Sequence, residues 1–237
     1  MSRQGIAGSN PAAPTNPSRF LESGFDLLAE HQHSAYAYLL GLYLGDGYIE
    51  RHPRTSRLTI YLNRNRPDII RSCAAAMFVV LPERRVGLVK HGENCIYVSS
   101  YSRAWLRLFP QHGPGPKHTR AIVLEPWQGA LVRLHPMNFV RGCIESDGCR
   151  HRRIVNGKDY PACSFDNRSE DILTLFTWAC GLIGIRGRRS KASTISIARR
   201  ADVARLDAAL EEPAFRPWGS LAEAVAFLGL TASHGLS

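Results

Sequence analysis

Two apolar runs of helical length stand out along this chain, and each stops at the same pair of residues. The first reads AYAYLLGLYLG from Ala35 to Gly45 and ends in Asp46-Gly47; the second, FVRGCIES from Phe139, ends in Asp147-Gly148. Their length and periodicity predict helices over about residues 34–45 and 136–146, each stopped at glycine. Alternating apolar and polar positions then predict hairpin strands at about 47–52 with 57–63, and at about 149–155 with 160–166. An amphipathic helix follows each hairpin, opened by Arg66-Pro67-Asp68 in one case and by Ser169-Glu170-Asp171 in the other. Ser169 suits an N-cap, with acids in the first turn set against the helix dipole. Second hairpins (about 85–90 with 95–100, and 187–191 with 194–199) and a last helix close each series.

The two series align. Setting LTIYLNRNRPDIIR from Leu58 against PACSFDNRSEDILT from Pro161 pairs Leu62 with Phe165, Asp68 with Asp171, and Ile69-Ile70 with Ile172-Leu173. Lys90 pairs with Lys191 further on, and IYVSS at Ile96 with ISIAR at Ile195. A unit repeated about every 101 residues makes the chain a tandem duplication. The expected organisation is a first repeat over 31–110, a linker over 111–118, a second repeat over 119–210 and a tail over 211–237 with one short helix. The linker sits in PQHGPGPKH, where alternating Pro and Gly leave no room for helix or strand. Residues 1–30 form a leader, and its first 20 positions are too polar and too rich in Gly and Pro to pack.

Charge narrows the class of partner. The chain of 237 residues carries a formal net charge of +10 and a pI near 9.7, which suits a polyanion. The excess is local: Arg150 to Arg200 holds eleven Lys or Arg against four acids. Six cysteines without a CxxC pair read as reduced thiols of a cytoplasmic protein. No apolar run reaches the roughly 18 residues of a membrane span.

Against that basic background the paired acids need a reason. Gly41 and Gly45 lie four apart on one helix face, as do Gly142 and Ser146, and small residues on one face let two helices approach closely. If the two helices pack side by side, Asp46 and Asp147 emerge together at their ends. Like charges so close repel unless divalent cations lie between them. Paired acids holding Mg²⁺ beside a basic surface is an arrangement for phosphodiester hydrolysis.

LLGLYLGDG (Leu39–Gly47) and VRGCIESDG (Val140–Gly148) resemble the two motifs of the LAGLIDADG homing endonucleases, over about residues 31–210. The resemblance implies an α+β fold: a tandem, pseudo-symmetric pair of αββαββα units in one chain, acting as a monomer, whose β-saddle sheets lie along duplex DNA. It implies a site-specific double-strand endonuclease using Mg²⁺, or Mn²⁺ in its place. Asp46 and Asp147 would be the metal-binding catalytic acids, and Lys90 and Lys191 assisting bases matched by repeat position. Leu44 and Glu145 fill the motif's variable sixth position. DNA-facing candidates are Arg51, Arg57, Arg64 and Arg66 in the first copy, with Arg150, Arg152, Arg168, Arg188 and Lys191 in the second. Two rivals share the fold: a catalytically silent DNA-binding regulator, and an intron maturase that binds RNA. An intein is not expected of a sequence that opens Met-Ser-Arg and closes His-Gly-Leu-Ser.

Overall fold

Helix α1 (His33–Asp46) is buried on every side from Ala35 to Leu44, as an all-apolar helix requires. The computed structural model, which describes residues 27–211, makes it the central element. Its main neighbour is α5 (Pro136–Asp147), the second predicted apolar helix. The two approach as closely as backbones allow. A Cβ added to Gly41 would lie 2.8 Å from the Cys143 amide nitrogen, and one on Gly142 would lie 2.9 Å from that of Leu42.

Each helix runs directly into a hairpin. Strands β1 (Gly47–Arg51) and β2 (Ser56–Asn63) follow α1; β5 (Gly148–Val155) and β6 (Lys158–Asp166) follow α5. Gly47 and Gly148 make these corners with extended backbone, φ −90° in both, so no left-handed turn is involved. Glycine is needed for another reason. A Cβ on Gly47 would lie 2.7 Å from the Tyr43 carbonyl oxygen, and one on Gly148 2.7 Å from the Ile144 Cα.

The rest of each unit repeats as well. Helix α2 (Pro67–Val80), strands β3 (Val86–His91) and β4 (Cys95–Tyr101) and helix α3 (Ala104–Leu108) complete the first unit. Helix α6 (Glu170–Leu182), strands β7 (Arg188–Lys191) and β8 (Thr194–Ile197) and helix α7 (Arg200–Glu211) complete the second. Two antiparallel four-stranded sheets result, ordered β1-β2-β4-β3 and β5-β6-β8-β7. This is the α+β duplication that the sequence pattern predicts. The helices cover one face of each sheet, where Leu58, Ile60 and Val98, or Cys163, Phe165 and Ile197, join a continuous core. Ser169 caps α6 by accepting a hydrogen bond from the Ile172 amide at 3.4 Å.

Two features between the units depart from the pattern. Helix α4 (Pro126–Leu134) was not anticipated. It is started by Pro126 and by the Gln128 side chain, which accepts from the Glu125 amide at 2.9 Å. It is fixed by a buried polar network in which Gln128 donates to the Tyr36 hydroxyl of α1 at 2.7 Å. Nor is the Pro-Gly linker wholly irregular. Lys117–Thr119 form one 3-10 turn, which needs only i→i+3 bonds, and Pro116 sets the extended entry to it. The leader before residue 27 and the tail helix at 220–229 fall outside the described residues.

Candidate nucleic-acid interface and paired carboxylates

Because α1 and α5 end side by side, their last residues share one small space. Asp147 Oδ2 lies 2.9 Å from where a Cβ on Gly45 would stand, and Ser146 presses on the same spot. Both carboxylates are half-buried. Burial, with the charge of Asp147 added, pushes the Asp46 carboxyl from 3.8 up to about 7. Burial also raises Asp147, which is partly relieved by Asn167, whose amide donates to Asp147 Oδ2 at 2.7 Å.

A third charged group occupies the site, and the sequence reading missed it. Lys117 reaches in from the linker, its ammonium donating to the Gly45 carbonyl at 3.1 Å and the Gly47 carbonyl at 2.6 Å. It also sits 5.1 Å from the centre of the Tyr43 ring. Desolvation lowers its pKa from 10.5 to about 8, against the opposing pull of Asp46 and then Asp147. The available signal was topological: a lone cation in the one segment that has to cross between the repeats. A cavity of about 320 Å³ opens beside Asp147, lined among others by Lys117, Asp166, Asn167 and Arg168.

The donors suit a hard divalent cation. Two carboxylates and two carbonyls converge, all oxygen. Among the described residues no cluster of three His, Cys, Asp or Glu side chains forms a metal cage, so a bound cation would need water to complete its shell. Glu145 plays a different part. Its carboxylate is buried against Arg141 at 2.6 Å and accepts from the Tyr38 hydroxyl, which fixes α5 rather than offering a ligand. Leu44 is fully buried.

Strand register sorts the basic candidates by face. In the second sheet, Arg150 stands opposite Cys163 and Arg152 opposite Pro161, on the helix-covered side. There Arg150 pairs with Asp207 of α7 at 2.8 Å, and Arg152 pairs with Asp159 at 2.6 Å. The open face instead presents His151 and Arg153, which with Arg188, Lys191 and Arg199 line a groove of about 840 Å³. In the first sheet, Arg57 is on the open face, bonded to Glu50 at 2.6 Å and lying over the Tyr97 and Tyr101 rings. Arg51 is opposite Ser56 and touches His112, while Arg66 pairs with Asp68 at 2.9 Å. Arg64 is in the turn after β2, its amide bonded to the Asn94 carbonyl. Arg168 lies beside Asp147.

The two lysines matched by repeat position also part company. Lys90 is opposite Ile96, sharing the side of Leu88 and Val98. A bulge between Arg189 and Lys191 sets Lys191 opposite Thr194, on the open face. One unpaired residue reverses the alternation of a strand, and the repeat spacing alone does not reveal it.

No protein-family model matches the chain, and neither does any curated protein. Solved structures do. A mesophilic variant of the homing endonuclease I-DmoI matches with a TM-score of 0.53 at 16% identity, over 78% of this chain and 100% of that one. I-DmoI in complex with DNA and Ca matches at 0.52 and 16%, over 83% and 98%. An I-DmoI double variant with its target DNA nicked and Mn present matches at 0.52 and 15%, over 77% and 98%. With two αββαββα units joined at Gly-faced helices that end in Asp46 and Asp147, the chain has the LAGLIDADG fold in its single-chain, two-motif form.

Proposed function

We propose that the protein is a site-specific double-strand DNA endonuclease of the homing type. The observation that carries this reading is the convergence of Asp46 and Asp147 at the ends of α1 and α5, between two sheets with open faces. I-DmoI, which shares the fold, has been seen with DNA and with Ca or Mn, and that likeness supports duplex DNA as the partner. The groove of His151, Arg153, Arg188 and Lys191 would engage phosphates and base edges of one half-site. The open face of the first sheet, with Arg57 among tyrosines, would engage the other. Arg168, beside Asp147, is placed to meet a phosphate entering the 320 Å³ cavity.

Mg²⁺ or Mn²⁺, when bound, would activate water and stabilise charge on the attacking and leaving oxygens. The chain's own part is to hold and aim. Asp46 and Asp147 supply ligand charge, Asn167 fixes the orientation of Asp147, and the helix contact fixes the spacing of both. Lys191, on the open face, is better placed than Lys90 to assist. Because one chain supplies both motifs, a monomer suffices.

Cleavage of duplex DNA spanning the gene's own insertion site, with and without Mg²⁺, tests the reading. Asp46→Asn and Asp147→Asn should bind that DNA as well as wild type or slightly better, since a charge repelling phosphate is gone. Both should lose cleavage by orders of magnitude. Wild-type cutting by both variants would reduce the carboxylates to turn residues. One observation favours a silent DNA-binding regulator instead: the Lys117 ammonium holds the Gly45 and Gly47 carbonyls and offsets part of the charge of the acidic pair. Tight binding with no cutting in Mg²⁺ or Mn²⁺ would establish that alternative.

A further inference from the structure

The acidic pair has a neighbour that neither repeat supplies. Lys117 comes from the linker, and the linker is built to deliver it. Arg120 donates to the Gly115 carbonyl at 3.0 Å and the Gln111 carbonyl at 2.8 Å, and the Thr119 hydroxyl donates to the Pro116 carbonyl at 2.8 Å. These bonds, all within residues 111–120, fix the shape of the 3-10 turn that carries the lysine. Its ammonium then takes the carbonyls on either side of Asp46, and both Asp46 and Asp147 feel its charge. Those two carbonyls belong to the same oxygen set that a hard cation would require. Two cations cannot share it, because the ammonium and a divalent ion at contact distance repel strongly in a half-buried site.

We propose that Lys117 is a tethered cation that holds the acidic pair together in the metal-free protein and must leave its carbonyl partners when a divalent metal binds. The proposal rests on the endonuclease reading of Asp46 and Asp147 as metal ligands. It makes the linker a brake on metal loading: the lysine keeps the two carbonyls until the free energy of metal binding, with DNA phosphate adding ligands, exceeds that of the lysine contacts. It also breaks the pseudo-twofold symmetry at the chemical centre. One lysine serves two acids, and the carbonyls it takes flank Asp46 rather than Asp147.

The test is Mn²⁺ binding by the full chain without DNA, read as loss of the free-ion electron paramagnetic resonance signal, together with metal-free thermal stability. Lys117→Met removes the charge but keeps most of the apolar stem. Lys117→Gln keeps a donor for the carbonyls, should the Met variant fold only with metal. Both should bind Mn²⁺ about tenfold tighter or more, and both should melt lower than wild type in EDTA and recover with Mn²⁺. Equal or weaker Mn²⁺ binding by both variants overturns the proposal. Asp46→Asn separates the two levels. If it leaves Mn²⁺ binding intact, the acidic pair holds no metal, and the functional reading falls together with the lysine proposal. If it abolishes Mn²⁺ binding while the Lys117 variants bind no tighter, only the tethered-cation proposal falls.

Discussion

Replacing Asp46 with Asn should flatten the pH dependence of the metal-free protein's stability. Burial and the neighbouring Asp147 raise the Asp46 carboxyl from 3.8 to about 7. A raised acid favours the folded state while it is protonated. Its contribution is therefore complete below about pH 4 and is lost as pH climbs through 7. About three units at 1.36 kcal/mol each gives an upper bound near 4 kcal/mol, and partial hydration of the site reduces this to roughly 2–3 kcal/mol. Asn cannot ionise, so the variant lacks that loss. Asp147 is raised in the same direction and leaves a residual slope in both proteins. The useful window is pH 4.5 to 7, because Lys117, brought down to about 8, starts to lose its proton above it. Urea unfolding in EDTA at four pH values across that window is the assay. Wild type should lose about 2–3 kcal/mol more than Asp46→Asn between its ends. Parallel stability curves would show that Asp46 is solvated as an ordinary surface acid, and the buried-pair geometry would be wrong.

Further consequences follow from packing and face. Gly142→Ala should cost roughly 1–3 kcal/mol, because its methyl would meet the backbone of α1, whereas Gly129→Ala in α4, with nothing within 4 Å, should be neutral or slightly stabilising; denaturant unfolding compares them. Arg153→Ala should weaken DNA binding and lower the slope of log K against log salt by about 1. Arg150→Ala, whose guanidinium is bonded to Asp207, should leave that slope unchanged; binding titrations at several salt concentrations decide. Glu145→Gln should destabilise by about 1–3 kcal/mol, because the buried charge-assisted bonds of Arg141 to this side chain become neutral ones while its bond to the Ala209 carbonyl stays, yet leave Mn²⁺ affinity intact, which calorimetry and metal titration read separately.

The duplication, the hairpins and the convergence of the acids are legible in the sequence because each leaves a local mark. Apolar runs of helical length, period-2 strands and Asp-Gly stops all lie within a dozen residues. What escapes is set by contacts between distant segments. Helix α4 depends on Gln128 reaching Tyr36, 92 positions away, and nothing in PWQGALVRL announces that partner. Lys117 reads as a linker cation until the fold places it over Gly45 and Gly47. The faces of Arg150 and Arg152 against His151 and Arg153 follow from register, where a single step moves a side chain to the other surface. Charge counting sees four similar basic positions; the sheet divides them into two that brace helix or hairpin and two that line the groove.

That division bears on how a duplicated protein comes to read an unsymmetrical target. At the α1–α5 contact each residue touches its counterpart's surroundings: Gly41 faces α5 at Cys143, and Gly142 faces α1 at Leu42. A change on one side has to be accommodated by the other, which constrains both glycines. The open faces of the sheets lie outside that contact and can diverge without disturbing it. They have done so: the first carries Tyr48, Tyr61 and Tyr101, each more than a third exposed, with its arginine tied to Glu50, while the second carries His151, Arg153, Arg188 and Lys191. An aromatic face gains from apolar contact with base edges and sugars, and loses little when salt rises. A face rich in cations binds by displacing counterions and loses much. If the two faces hold the two half-sites, duplexes bearing a single half-site should differ in salt slope, steep for the one bound by the second sheet and shallow for the other. Fluorescence anisotropy titrations of the two half-site duplexes between 50 and 200 mM salt measure this directly. Equal slopes would mean that phosphate contacts come from outside the sheets, and that the sheet faces do not set the electrostatics of binding.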